Sequence, residues 1–171
     1  MRLQEDGHAQ WVTTRVVQEV ETADGELVEI SRNFFAECAA NGDVYYFGED
    51  VDIYEDGEIV SHDGAWLAGR DGAKPGIIMP GGAFLLGSRY FQEIAPDVAL
   101  DRAEHVADGL EVEVPAGDFD DCVLIEETTP LEPQARGTKT YCPQVGLVLD
   151  GEEMELMSLF GPRHGPHDRD D

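Results

Sequence analysis

Turn-forming residues divide this sequence into short segments, and they limit the fold more than any other feature does. Between residues 11 and 160, runs of β-favouring residues alternate with Gly, Asp, Asn and Pro, and helix signals are nearly absent. Asp24-Gly25 and Asp56-Gly57 each separate two such runs, and Asp-Gly pairs supply the positive φ angles that tight hairpins need. Successive hairpins of this kind predict an antiparallel meander.

The number of these segments predicts how the strands are arranged. Roughly a dozen strands are more than one flat sheet usually holds. We therefore expect an all-β domain whose antiparallel meander forms a curled sheet or an incomplete barrel. The expected organisation is an N-terminal lead at 1–10, one β domain at 11–160 and a flexible tail with acidic residues and histidines at 161–171. The glycine-rich segment 69–87 is expected to be a long loop that packs over the mouth of the sheet as its rim or lid, or that marks a close approach of the backbone to another group.

Acidic residues dominate the composition and exclude several kinds of partner. The 171-residue chain has 37 Asp and Glu against 11 Lys and Arg, which gives a net charge of -26. Nucleic acids and anionic membrane surfaces would repel such a chain, because binding to them depends on neutralising phosphates with basic side chains. The scarcity of lysine suits a high-salt environment, where counter-ions screen the acidic surface. No apolar run is long enough to span a membrane, so no membrane span is expected.

Aromatic residues provide the leading functional hypothesis. Curled antiparallel sheets commonly enclose an apolar pocket at the mouth, which favours a non-catalytic domain that binds a small apolar ligand or a protein partner. The predicted ligand-binding residues are Tyr46, Glu49, Trp66, Lys74, Tyr90 and Tyr141. The competing interpretation is that most of these rings form the core.

Catalytic motifs are missing from the sequence. It has no Gly-x-Ser-x-Gly, and the glycines at 81 and 82 are not followed by the Lys-Ser/Thr of a phosphate-binding loop. Inward-facing carboxylates could still serve a small hydrolase or isomerase, with Glu93, Glu104 and Glu126 as the candidate catalytic residues. A third alternative is an assembly subunit that self-associates through exposed edge strands.

Metal ligands are equally sparse. His62 beside Asp63 is the candidate metal-binding pair, although no histidines have the close spacing of a zinc motif. The sequence does not identify a cofactor.

Several segments resemble a family of uncharacterised bacterial exported proteins rich in β-structure. They are VYYFGED (44–50), GAW (64–66), GAKPGIIMP (72–80), VPAG (114–117), EETTPLEP (126–133) and VGLV (145–148). The resemblance implies no activity. It implies an export signal, which the residues after Met1 do not show. The cell envelope or the extracellular space is the expected location, with the cytoplasm as the alternative.

Two of the three cysteines bear on that location. If residues 122–128 pair with the strand that ends at Cys142, facing residues have numbers that sum to about 264, which places Cys122 opposite Cys142. A cross-strand disulfide is then feasible, and such bonds form largely in export compartments. The alternative is two buried free thiols. Cys38 has no evident partner.

Overall fold

The computed structural model describes residues 2–5, 8–82, 84–151 and 154–160. All strand pairings in this part of the chain are antiparallel, and none of these residues is helical. The strands are β1 (Arg2–Glu5), β2 (His8–Trp11), β3 (Arg15–Ala23), β4 (Glu26–Glu37), β5 (Val44–Glu55), β6 (Glu58–Ser61), β7 (Trp66–Leu67), β8 (Lys74–Met79), β9 (Arg89–Phe91), β10 (Glu93–Ile94), β11 (Arg102–Val114), β12 (Gly117–Thr128), β13 (Gly137–Cys142), β14 (Gly146–Asp150) and β15 (Met154–Glu155). The predicted all-β class is confirmed.

The strands form two meanders that one short segment joins. The first sheet has the order β3, β4, β5, β8, β10, with β6 and β7 also paired to β5. The second has the order β9, β11, β12, β13, β14, β15. Only Gln92 separates β9 from β10, so the segment 89–94 pairs with β11 at one end and with β8 at the other. The result is an open, curled arrangement in which β3 and β15 lie at opposite ends.

The hairpin turns follow the sequence prediction. β3 and β4 pair up to Ala23 and Glu26, which leaves Asp24-Gly25 as a two-residue loop with φ angles of 53° and 85°. Asp56-Gly57 joins β5 to β6 in the same way, with φ angles of 52° and 80°. Both central residues have positive φ, as the tight turns of right-twisted hairpins require.

The segment 69–87 differs from its expected loop structure, because it contains β8, which lies inside the first sheet between β5 and β10. The sequence pattern hid this strand because Pro75 and Gly76 are weak strand formers. Gly76 is required there: a Cβ atom at this position would collide with the backbone of Phe91 and Gln92. The glycine therefore marks a close approach of two backbones.

The two faces of the curled sheet can be distinguished by the side chains that lie near Glu19. Glu19 on β3 is near enough to contribute to the raised pKa of both Tyr46 on β5 and Tyr141 on β13, although burial is the main cause in both cases. The face that carries these three side chains is called the inner face here. Cys122 and Cys142 each adjoin a member of the Val123–Tyr141 pair, so they lie on the opposite, outer face.

The hairpin of β12 and β13 has the predicted register. Val123 faces Tyr141 and Leu124 faces Thr140, and Cys122 and Cys142 form a disulfide with a Cα–Cα distance of 4.2 Å. The predicted disulfide is therefore confirmed, and Cys38 is a free thiol.

The N-terminal residues form a small sheet of their own. β1 and β2 pair with each other there, and β2 extends one residue beyond the predicted N-terminal lead at 1–10. The predicted tail at 161–171 lies outside the described residues. Within the described ranges, no helix has the length and apolar character needed to cross a membrane.

Candidate functional site

The candidate site is built on the outer face, where β9, β11 and β12 run side by side. Directly paired residues point to the same face of an antiparallel sheet. One row across these strands holds Arg89, Glu104 and Glu126, and the next row holds Phe91, Arg102 and Thr128. Basic, acidic and aromatic side chains are therefore adjacent on one surface.

The loop between β12 and β13 borders this surface, and the two form an open-sided cavity of about 550 Å³. Thr129, Pro130, Pro133 and Arg136 from this loop line one side of the cavity, and the two rows of strand residues line the other. Ligand pockets commonly have volumes of about 300–1,000 Å³. The cavity is thus large enough for a small molecule.

Two ion pairs organise the cavity wall. Arg89 contacts Glu104 through two nitrogens, with Nε to Oε2 at 2.8 Å and Nη2 to Oε2 at 2.7 Å. Arg136 lies 3.9 Å from Glu126, and its Nη1 donates to the carbonyl oxygens of Pro133 and Ala135 at 3.3 and 2.7 Å. The structure brings the predicted catalytic candidates Glu104 and Glu126 together, but each is engaged by an arginine.

Three of the predicted ligand-binding residues lie together elsewhere, in the first sheet. The Tyr46 hydroxyl donates to Asn33 Oδ1 at 2.6 Å, and the Tyr46 ring stands edge-on to Trp66 with centroids 5.1 Å apart. Burial is the main cause of the raised pKa of Glu49. Tyr46 and Trp66 are 9% and 6% exposed and belong to the hydrophobic core.

A smaller cavity of about 220 Å³ touches this group. Glu49 and Trp66 line it, together with Arg70 and Asp71. The buried Trp66 Nε1 has no hydrogen-bond partner within the described residues. At that volume the cavity lies below the usual range for ligand pockets.

The third predicted carboxylate, Glu93, is separate from the large cavity. It is 3% exposed and accepts the Asp101 backbone N–H at 2.6 Å. Burial raises its pKa to about 8. Lys74, on the neighbouring strand β8, is exposed.

Tyr90 and Tyr141 lie on the inner face of the second sheet. The Tyr90 hydroxyl is 3.0 Å from His105 Nε2, and the His105 ring stacks on Phe84 with centroids 3.6 Å apart. Burial raises the pKa of Tyr141 to about 12. Tyr90 also contributes to the lining of the large cavity, whereas Tyr141 does not.

The predicted metal pair is not assembled as a metal site. His62 Nδ1 lies 2.7 Å from the Val51 carbonyl oxygen and 3.0 Å from Asp52 Oδ1, and Asp63 is exposed. Across the described ranges, no three His, Cys, Asp or Glu side chains come together in a way that could hold a metal ion.

Sequence reasoning missed the arginines of the large cavity. Arg89 and Phe91 are two residues apart on β9, so their side chains point to the same face of the strand. Arginine is scarce in this acidic chain, so an arginine and an aromatic residue on the same strand face could have indicated a binding site. The contribution of Arg136 depends on a loop that no periodicity predicts.

Comparison with known proteins identifies no relative. No family model matches the sequence, and no curated protein and no solved structure matches it significantly. Fold and site together define an open, antiparallel all-β domain with an arginine-lined cavity on its outer face.

Proposed function

We propose that this protein is a non-catalytic ligand-binding β domain, and that its ligand occupies the cavity beside the β12–β13 loop. The observation that supports this most is the cavity itself, which has a volume of about 550 Å³ and is lined by the charged rows of the strands and by the β12–β13 loop. Phe91 and two prolines supply apolar surface, so the ligand has an apolar part as well as polar groups.

The carboxylates of the cavity favour a ligand-binding function over a catalytic one. A general acid or base must be free to exchange a proton with the substrate. Glu104 and Glu126 instead form ion pairs with Arg89 and Arg136. Glu93, the carboxyl group with a strongly raised pKa, does not line either cavity.

A cavity-filling variant tests this function. We expect Thr128→Trp to occupy the space between β12 and the loop and to abolish binding of small aromatic fragments, measured by ligand-observed NMR. Thr22→Trp, at an exposed position on β3, is the matched control and should bind as the wild type does. Fragments that bind Thr128→Trp as well as the wild type would place the ligand elsewhere.

We also propose that the protein acts outside the cytoplasm. The Cys122–Cys142 disulfide supports this, because such bonds persist mainly in oxidising compartments. Protein purified from its own host should have a mass lower than that of the reduced chain by two hydrogen atoms. A fully reduced mass under conditions that prevent thiol exchange would contradict this location.

A second candidate function is self-assembly through β3, which specific features of this strand favour. Among the described strands β3 pairs only with β4, and all nine of its residues are exposed. A second copy can pair with it in antiparallel fashion about a two-fold axis at Gln18. That register sets Val16 opposite Val20 of the second copy and Arg15 opposite Glu21, and these two favourable pairs outweigh the pairing of Val17 with Glu19.

A cysteine placed on this axis tests the register. In a Cys38→Ser background, Gln18→Cys should form an intermolecular disulfide, because residue 18 faces its own copy. Thr22→Cys is exposed on the same strand but would face residue 14, so it should remain uncrosslinked. Equal crosslinking of both variants, or a monomer by light scattering at all concentrations, would exclude this dimer.

A further inference from the structure

Arg102 is the basic residue of the large cavity that lacks an acidic partner. Within the described ranges, Arg89 and Arg136 each have a carboxylate within ion-pair distance, whereas Arg102 has none. Its guanidinium instead lies over the Phe91 ring, 4.8 Å from the centroid. Arg102 is exposed, so its donors are accessible from the cavity.

The charges of the cavity walls do not cancel. Three arginines and two glutamates line it, which leaves an excess of one positive charge. The whole chain has a net charge of -26, so this excess is opposite in sign to the protein as a whole. A ligand with one negative charge balances the cavity, whereas a dianion would leave one charge uncompensated in an acidic protein.

The shape of the donor group favours a carboxylate. A guanidinium presents its N–H groups as a planar fork that matches the two oxygens of a carboxylate. Phe91 holds this fork from one side, and Pro130 and Pro133 supply apolar surface for a hydrocarbon body. The Thr128 side chain lies opposite Arg102 on the neighbouring strand and adds a hydroxyl donor.

We propose that the cavity binds a small organic monocarboxylate with a flat apolar body, and that Arg102 receives the carboxylate. This inference rests on the proposed ligand-binding function of the same cavity and adds the chemical class of the ligand. The carboxylate pairs with the Arg102 fork, and the apolar body lies between Phe91 and the prolines of the loop.

The test uses benzoate as the carboxylate, benzamide as its neutral isostere and inorganic phosphate as a competing anion. Affinities are measured by NMR titration of the whole protein. We expect benzoate to bind more tightly than benzamide or phosphate. Arg102→Gln should weaken benzoate binding at least about tenfold, which corresponds to roughly 1.4 kcal/mol. Arg102→Lys should restore only part of the loss, because an ammonium lacks the planar fork.

Arg15→Gln is the matched control, because it removes the same charge at an exposed position on β3. It should leave benzoate affinity unchanged. Equal losses in Arg15→Gln and Arg102→Gln would show that only net charge matters and would overturn the proposal. Unchanged thermal stability of each variant establishes that it folds.

The outcomes separate the ligand class from the function. If benzamide binds as tightly as benzoate, or phosphate more tightly, while Thr128→Trp still abolishes fragment binding, the cavity is a ligand site but the carboxylate assignment is wrong. If Thr128→Trp has no effect on any probe, the proposed function fails as well.

Discussion

Glu93 illustrates, at the scale of a single residue, what burial does to a carboxyl group in this fold. Its pKa is raised to about 8, first by burial and then by the nearby charges of Asp101, Glu49 and Glu127. The backbone N–H of Asp101 opposes this shift by donating to the carboxyl oxygen at 2.6 Å. The folded protein therefore keeps a proton that the unfolded chain releases at lower pH.

Replacing Glu93 with Gln should make the protein more stable at alkaline pH. The pKa of Glu93 is about 8 in the folded state and 4.5 in the unfolded reference, so the folded state binds this proton more tightly. The stability that this proton provides is complete below about pH 4.5 and is lost as the pH rises through 8. Gln keeps the acceptor for Asp101 and cannot ionise. We expect a gain on the order of a few kcal/mol at pH 9, shrinking toward pH 5, measured by urea unfolding.

The exposed Glu58 supplies the comparison, since Glu58→Gln removes the same charge on β6. It should change the free energy of unfolding little and without this pH dependence. A Glu93→Gln variant that is no more stable than the wild type at pH 9 would show that the fold does not raise the pKa of Glu93.

The β12–β13 hairpin illustrates how one element supports both the core and the cavity. Its disulfide packs with Val148 on the outer face, and its loop lines one side of the arginine-lined cavity. The 20-residue separation of the two cysteines includes this whole loop. The bond therefore limits the freedom of the loop in the unfolded chain.

Removing the disulfide should destabilise the domain substantially. For a closed loop of this length, the loss expected from chain entropy is about 3 kcal/mol, which lowers the melting temperature of a chain this size by about 6–12 °C. Cys142→Ser tests this by calorimetry. Cys38→Ser, at the free cysteine, is the control and should leave the melting temperature nearly unchanged. Equal stability of the oxidised and reduced wild type would contradict the expectation.

At the scale of the whole molecule, charge is the dominant property. A net charge of -26 on an open sheet produces repulsion that only salt can screen, because few basic residues are available for ion pairs. The screening length falls from about 30 Å at 0.01 M salt to about 3 Å at 1 M. The folded state brings these charges closer together than the unfolded chain does, so screening by salt stabilises the folded state more.

The melting temperature should therefore rise by several degrees between 0.01 M and 1 M sodium chloride. Calorimetry at constant pH measures it, and an equal osmolality of sucrose serves as the control for effects other than ionic screening. A melting temperature that does not change with salt would show that the acidic surface costs the fold little.

The local features of this protein can be predicted from its amino-acid sequence. Asp24-Gly25 and Asp56-Gly57 specify their turns because their backbone preferences act within a few residues. The alternation of residues predicted the strands, and the hairpin register placed Cys122 opposite Cys142 because pairing continues regularly between two adjacent strands. The all-β class follows from these same short-range rules.

The position of the candidate site depends on how the strands and the loop pack together. Strand β8 looks like a loop in sequence because Pro75 and Gly76 are weak strand formers. The glycines there indicated that a close backbone approach was one alternative, but only the packed sheet identifies Gln92 as the neighbour of Gly76. Arg89, Arg102 and Arg136 come from two strands and a loop, and they share one cavity because strand pairing and loop closure bring distant segments together. Tyr46 and Trp66 are core residues for the same reason: burial is a property of the packed sheet, and the identity of a residue does not determine it.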